Sequence, residues 1–155
     1  MNVYLMQHGE AAAEADDPAR PLTDTGRAVV TRVVSRAQAA GVQVDQCLHS
    51  GKLRAEQTAQ ILAAAVCEAA AQQRDGLAPN DSIAPTAAWL RGLPEDMSVA
   101  VVGHLPFLDR LASALVVDDE DARVISFQMG GLVKLVPKAD REGSAIAWVL
   151  APDIA

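Results

Sequence analysis

Three side chains that could do chemistry follow short apolar runs at widely separated points of the chain. His8 comes just after NVYLM, Arg54 shortly after VQVDQCLHS, and His104 directly after SVAVVG. A neutral imidazole can attack an electrophilic centre, and a second one can donate a hydrogen bond to the reacting group. A guanidinium binds phosphate oxygens through its planar fork of donors. Two histidines and an arginine brought together would therefore suit a bound phosphoryl group.

The first two runs predict two units of strand followed by helix. NVYLM at 2–6 has the composition of a buried strand. Apolar residues at helical spacing then predict a helix capped by Thr23 and stopped by Gly41. A second strand is expected near 46–49, and Ser50 is the expected N-cap of the next helix. That cap would place Arg54 in the first helical turn.

The rest of the chain repeats this alternation. A loop with a short strand is expected over 72–82, followed by a helix that Pro85 opens. SVAVVGH predicts the third clear strand, Pro106 begins another helix, and two further strands are expected in RVISFQMGGLVKLVP and SAIAWVLAP. Strands that alternate with helices at this spacing predict an α/β domain with a mostly parallel sheet.

The carboxyl ends of parallel strands meet at one edge of a sheet, and ligands of such folds bind there. We therefore expect His8, Arg54 and His104 to converge at that edge. Each also has a simpler interpretation: either histidine could be an ordinary loop residue, and Arg54 could be a solvated first-turn residue. We expect His49 to be solvated in the same way.

Composition excludes several classes of function. The chain has 155 residues, a formal net charge of −7 and no run of lysine or arginine, so nucleic acid is not an expected partner. No signal peptide and no apolar stretch of membrane-spanning length is visible, which predicts a cytoplasmic protein without a membrane partner. Cys47 and Cys67 are expected to be buried free thiols. No ligand spacing predicts a metal, and no cofactor is expected.

Four motifs in this order carry a resemblance: HGE after the first strand, RPLTDTG at the first helix, LHSGKLRAEQTA, and VVGHLP. Together they resemble the histidine phosphatase superfamily, and within it the small SixA-type phosphohistidine phosphatases. The resemblance implies a phosphoglycerate mutase-like, three-layer α/β/α sandwich around a mostly parallel sheet. It also implies that residues 1–155 form a single histidine phosphatase domain without a cap insertion.

The resemblance assigns a role to each matching residue. His8 matches the nucleophile that accepts the phosphoryl group, and Arg54 and His104 match the residues that hold the phosphate. Arg20 lies in RPLT and would contact phosphate or substrate. An alternative for Arg20 is a salt bridge to Asp16 or Asp17 on a surface loop.

The implied substrate is a phosphorylated histidine of a phosphotransfer protein. The short stretch 72–98 leaves little chain to close over a small ligand. Ester-cleaving members of the superfamily use a carboxylic acid to protonate the leaving group. Asp75 and Asp81 lie in the corresponding region but have the pattern of turn residues. An absent acid favours cleavage of a P–N bond, because a phosphohistidine nitrogen can be protonated before it leaves.

Gln7 is where this chain departs from the pattern, because the superfamily has RHG where this chain has QHG. An arginine would add a charged donor pair at the phosphoryl oxygens, whereas glutamine offers a neutral amide. Three functions therefore stay open: a phosphohistidine phosphatase slowed or retuned by Gln7, a catalytically impaired domain that binds a phosphoprotein, and a small phosphate-ester phosphatase.

Overall fold

The computed structural model describes residues 1–140 and 142–155, which form a six-stranded sheet with helices on both faces. The strands are β1 Asn2–Gln7, β2 Gln46–His49, β3 Gln72–Gln73, β4 Ser98–Gly103, β5 Leu132–Pro137 and β6 Ser144–Leu150. The helices are α1 Asp24–Ala39, α2 Leu53–Val66, α3 Ala84–Arg91, α4 Phe107–Val117 and a closing 3₁₀ turn, Pro152–Ile154. None of the helices in these ranges is long and apolar enough to cross a membrane.

The sheet has the strand order β3-β2-β4-β1-β5-β6. The first four strands in this order are parallel, while β5 and β6 run antiparallel at one side. Gln7 pairs with Gly103, and His49 pairs with Val102. The carboxyl ends of β1, β2 and β4 therefore lie level at one edge, and the predicted mostly parallel sheet is confirmed.

Each face of the sheet carries its own apolar core. The core under α1 and α2 includes Tyr4, Met6, Val33 and Leu62, and the core under α3 and α4 includes Val3, Leu5, Val101, Leu90 and Phe107. The central strands β1 and β4 contribute alternate side chains to both cores, which explains why their sequences are continuously apolar. This is the predicted three-layer α/β/α sandwich.

Several local predictions can be compared with the structure. The side chain of Thr23 caps α1 at Gly26 N as expected, and Gly41 follows the helix with a positive φ of 75°. Ser50 is not the cap of α2, because that position is Lys52, which makes no side-chain cap hydrogen bond. Cys47 is a buried free thiol, but Cys67 is only partly buried, since it lies at the end of α2.

The strand expected in RVISFQMGGLVKLVP is shorter than its β-rich composition suggests. Pairing begins only at Leu132, because no neighbouring strand is available before it and two glycines precede it. Before that point Val124 N–H donates instead to Ser113 Oγ at 3.2 Å. Gly130, with φ of 78°, turns the chain so that its N–H reaches Gln7 O at 2.9 Å. This turn brings the segment against the end of β1.

Candidate active site

His8 stands at the carboxyl end of β1 with its ring orientation fixed by backbone groups. Its own N–H donates to Gly103 O at 3.0 Å, which ties it to the end of β4. Its Nδ1 lies 2.7 Å from Gly9 O. A carbonyl oxygen can only accept, so Nδ1 carries the proton of the neutral ring and Nε2 keeps its lone pair. Nε2 is thus the nitrogen available for attack.

Arg54 reaches this nitrogen from the first turn of α2. Its Nε donates to His8 Nε2 at 3.3 Å. Burial is the main cause of a lowered pKa of His8, and the positive charges of Arg54 and Arg20 lower it further, against the opposing hydrogen bond to Gly9. His8 is therefore a neutral imidazole near neutral pH.

His104 faces His8 from the end of β4, with 5.0 Å between the ring centroids and 2% of its surface exposed. Its Nε2 lies 2.6 Å from Ser50 Oγ, and its buried Nδ1 has no partner among the described residues. Burial, followed by the charges of His8 and Arg54, lowers the pKa of His104 to about 3. Both rings of the pair are therefore uncharged when the site is free of anions.

A chain of hydrogen bonds holds the loop after His8 against α2. Gly9 N–H donates to Thr58 Oγ1 at 3.1 Å, and this hydroxyl donates to Arg54 O at 2.7 Å. Thr58 is completely buried. The position of His8 is thereby linked to the helix turn that carries Arg54. This role of Thr58 was not predicted from the sequence, although the residue belongs to the LRAEQTA motif.

The same loop is packed closely on α1. A Cβ atom built on Gly26 would lie 2.1 Å from Glu10 O, and one built on Gly9 would lie 2.7 Å from Val30 Cγ2. Glycine is therefore required at both positions by close approach rather than by an unusual φ. Gly26 is the glycine of RPLTDTG, so that motif also allows the loop after His8 to pack closely against α1.

Arg20 lies on the loop between β1 and α1 with a positive φ of 51°. Its Nε donates to Ala12 O at 3.1 Å, and its backbone N–H donates to Asp17 O at 2.9 Å. The alternative of a salt bridge to Asp16 or Asp17 is not formed, because neither carboxylate pairs with Arg20 in the described ranges.

The charge of Arg20 acts on the site itself. Burial is the first cause of the lowered pKa values of His8, Arg54 and His104, and the charge of Arg20 contributes to the lowering in each case. The structure therefore places Arg20 close enough to influence the three central groups electrostatically, without a hydrogen bond to any of them.

Gln7 immediately precedes His8, and its amide has an unusual environment. Its Oε1 is buried and has no hydrogen-bond partner among the described residues, although its main-chain oxygen accepts from Gly130. A buried amide oxygen without a donor is uncommon in folded proteins. The position next to His8 is thus occupied by an uncharged and incompletely bonded group.

Three further polar residues have structural surroundings. His49 is buried, contrary to our expectation of a solvated residue, and its Nδ1 accepts from Gly51 N–H at 3.1 Å in the turn before α2. Asp81 Oδ2 accepts from Ala78 N–H at 2.9 Å, and Asp75 is exposed before the turn at Gly76. The turn interpretation of both aspartates is confirmed. In the part of the chain that is described, no carboxylate hydrogen-bonds to His8, Arg54 or His104.

The arrangement is suited to binding an oxyanion. The site lies at the edge of a parallel sheet and contains two neutral imidazoles and a guanidinium from the first turn of a helix. A second cation, Arg20, lies on the neighbouring loop. Fold and site together define an α/β protein with a histidine-based anion site of the kind that serves phosphoryl chemistry.

Comparisons with known proteins agree with this class. Residues 3–79 match the histidine phosphatase superfamily (branch 1). The chain is 31% identical to phosphohistidine phosphatase SixA of Escherichia coli over 119 residues, which cover 74% of each protein. It is 40% identical over 120 residues to an uncharacterized protein of Picosynechococcus sp., covering 74% of this chain and 73% of that protein. The chain belongs to the histidine phosphatase superfamily and is of the SixA type.

Solved structures support the same assignment. The protein histidine phosphatase SixA in complex with tungstate superposes with a TM-score of 0.85 at 25% identity, over 99% of this chain and 98% of that chain. A putative phosphohistidine phosphatase SixA from Agrobacterium tumefaciens gives a TM-score of 0.78 at 25% identity, over 97% of each chain. The relationship supports phosphatase activity as the general class of reaction.

Proposed function

We propose that this protein is a phosphohistidine phosphatase that removes the phosphoryl group from a histidine of a phosphotransfer protein. The observation that carries the proposal is the state of His8: its Nδ1 proton is held by Gly9 O at 2.7 Å, and its Nε2 lone pair accepts from Arg54 Nε, while the ring of His104 lies 5.0 Å away. The similarity to SixA of Escherichia coli supports the choice of a phosphohistidine substrate.

The reaction would proceed in two displacements. In the first, the His8 Nε2 lone pair forms a bond to phosphorus while the P–N bond of the substrate breaks. The electron pair of that bond stays on the substrate imidazole, which leaves with a proton taken up from water. In the second, a water oxygen bonds to phosphorus and loses a proton to solvent, the electron pair of the broken P–N bond returns to His8 Nε2, and inorganic phosphate is released. Covalent catalysis of this kind divides one difficult step into two easier ones.

Arg54 and His104 would stabilise the charge on the transferring group. The guanidinium of Arg54 already contacts His8 Nε2, so it lies beside the atom to which phosphorus would bond. His104 is uncharged in the free site because burial lowers its pKa to about 3. A phosphoryl dianion between the rings favours the protonated form, so substrate binding would raise that pKa and strengthen the hydrogen bond from His104. Arg20 would add positive charge from the loop.

The surroundings of the site favour a P–N bond over an ester. No described carboxylate is hydrogen-bonded to the central residues, whereas an ester leaving group gains about 10²–10⁴-fold in rate from a positioned acid. Residues 72–98 contribute only a two-residue strand and a helix of eight residues. We infer that 1–155 is one domain without a cap insertion. The opening of the site at the carboxyl ends of β1, β2 and β4, here called the mouth, would then be accessible to a protein substrate.

A second candidate function follows from Gln7. Its buried amide oxygen lacks a donor, and its amide supplies no charge where the superfamily pattern has arginine. A domain with this deficit could bind a phosphorylated histidine protein without turning it over. We favour the enzyme, because the histidine that a binder would not need keeps its lone pair toward the site.

A trapping experiment tests the proposal. Incubation with a phosphotransfer domain carrying ³²P on its histidine should release inorganic phosphate and label the protein transiently through an acid-labile, base-stable bond. His8→Ala should lose both the label and the turnover. The same variant should keep its affinity for the phosphodomain if Arg54 and His104 bind the phosphoryl group. Tight binding with no phosphate release by the wild-type protein would favour the binding domain. Faster release from p-nitrophenyl phosphate than from phosphohistidine would favour the ester phosphatase.

A further inference from the structure

Arg74 occupies the edge of the sheet next to the site, immediately after β3. Its backbone N–H donates to His49 O at 2.9 Å, and the preceding residue, Gln73, pairs with His49. The residue after His49 is Ser50, whose Oγ lies 2.6 Å from His104 Nε2. Arg74 is thus beside the chain segment that contacts the second histidine.

The side chain of Arg74 is held by stacking rather than by an acidic partner. Its Cζ lies 3.8 Å from the centroid of the Trp89 ring, which packs from α3 against the apolar core. Its Nε is buried without a hydrogen-bond partner, and Arg74 takes part in no ion pair of the described ranges. The chain has 20 Asp and Glu side chains against 13 Lys and Arg, so acidic partners are in excess. Arg74 is held in place without one of them. Stacking on an indole leaves the edge of the guanidinium fork free to donate.

The segment that follows holds Arg74 at the rim. Gly76 turns the chain with φ of 81°, and its oxygen accepts from Thr86 Oγ1 at 3.4 Å. The next residue, Leu77, packs against Gly103, the residue that precedes His104. Its main-chain oxygen lies 3.8 Å from the position that a Cβ atom on Gly103 would take. The segment therefore runs from the end of β3 to the end of β4 along the mouth.

Arg74 lies outside the phosphoryl site proper. Among the described residues, the side-chain hydrogen bonds of His8, Arg54 and His104 are made with Gly9, Ser50 and one another, and none of them is made with Arg74. A cation on the rim that makes no hydrogen bond to the histidine pair is placed to bind a group of the substrate other than the phosphoryl group.

We propose that Arg74, stacked on Trp89, binds a carboxylate on the surface of the phosphoprotein next to its phosphohistidine. The proposal rests on the proposed function, because it concerns the recognition of that substrate. A carboxylate matches the planar fork through two parallel hydrogen bonds. The net charge of −7 repels an acidic partner at long range, so a fixed cation at the mouth supplies selectivity at contact distance.

Two peptides of equal length test this inference. Both carry a stable phosphonotriazole analogue of phosphohistidine; one has glutamate at the four flanking positions and the other has glutamine. Calorimetry at an ionic strength of about 0.15 M, where the long-range repulsion is screened, gives the ratio of the two dissociation constants. We expect the wild-type protein to prefer the acidic peptide about tenfold, the size of one charge-assisted hydrogen-bonded contact. Arg74→Gln and Trp89→Leu should each reduce the preference to about twofold or less.

Arg91→Gln is the matched control, because Arg91 pairs with Asp118 near the amino end of the sheet and should keep the tenfold ratio. Structural damage by Arg74→Gln would weaken both peptides equally and leave the ratio unchanged. A wild-type protein that does not distinguish the peptides, or a preference that survives in Arg74→Gln, would overturn the inference. Absence of phosphate release from a phosphohistidine substrate would instead overturn the proposed function, whatever the binding ratio.

Discussion

At the scale of single residues, the site contains two imidazoles that burial, assisted by nearby cations, keeps neutral. The proton of His8 is directed to a backbone carbonyl, and burial together with nearby arginines disfavours a second proton on either ring. The proposed nucleophilic attack requires the unprotonated Nε2, so this environment favours the form of His8 that the proposal needs. Gln7 contributes a neutral amide at a position where, in the proposed reaction, a further cation would stabilise the transferring phosphoryl group.

Gln7→Arg tests that interpretation directly. We expect the rate of phosphate release in single turnover to rise by about 10²-fold, because a charged donor pair would reach the phosphoryl oxygens in the transition state. Rapid-quench measurement with a ³²P-labelled phosphotransfer domain gives this rate. Gln43→Arg, at an exposed position between α1 and β2, adds the same charge away from the site and should leave the rate unchanged. An unaltered rate in Gln7→Arg would show that Gln7 is not a deficit in charge stabilisation.

At the scale of elements, the first loop is seated between two helices. Gly26 of α1 allows Glu10 O to approach, and Thr58 of α2 binds Gly9 N–H. The position of His8, the proposed nucleophile, therefore depends on the packing of α1 and α2 as much as on the end of β1. A substitution in either helix should therefore alter the position of His8, even if the substituted side chain does not contact His8.

Gly26→Ala should demonstrate this dependence. The new methyl group would lie 2.1 Å from Glu10 O, so the backbone after His8 must move. We expect a loss of about 1–3 kcal/mol in the free energy of unfolding, as for other overpacked sites, together with a fall in phosphatase activity. Urea denaturation and a phosphate-release assay measure the two effects. Gly92→Ala is the control, since its methyl group would find its nearest neighbour at 3.5 Å. Equal behaviour of the two variants would contradict the role of the close approach.

The elements show which features of the site a sequence can predict. Buried strands followed by capped helices are visible in local patterns, so the ends that carry His8, Arg54 and His104 could be predicted. The contact between Ser50 and His104 joins positions 54 residues apart, and it depends on β2 lying beside β4, which no local pattern specifies. The stacking of Arg74 on Trp89 likewise depends on where α3 packs. The residues before Leu132 have strand composition but no neighbouring strand to pair with.

At the scale of the whole molecule, all the histidines of the chain are buried. The chain has three, and burial is the first cause of a lowered pKa in each of His8, His49 and His104. In the unfolded chain these rings take up protons near pH 6.5, whereas in the folded protein they do so only at lower pH. Between these values the unfolded state binds more protons, so acidification favours unfolding.

The free energy of unfolding should therefore fall as the pH drops from 7 to 5.5. Each histidine that stays neutral in the folded state and is protonated in the unfolded state contributes a slope of at most about 1.4 kcal/mol per pH unit. His104, with a pKa of about 3, remains neutral throughout this window, so His104→Gln should remove its share of the slope. Urea denaturation at pH 7, 6.5, 6 and 5.5 gives the slopes of the wild-type protein and the variant. Added tungstate should also flatten the wild-type slope, because a bound oxyanion favours protonated rings. Identical slopes in the wild-type protein and His104→Gln would mean that His104 takes up its proton equally well in both states.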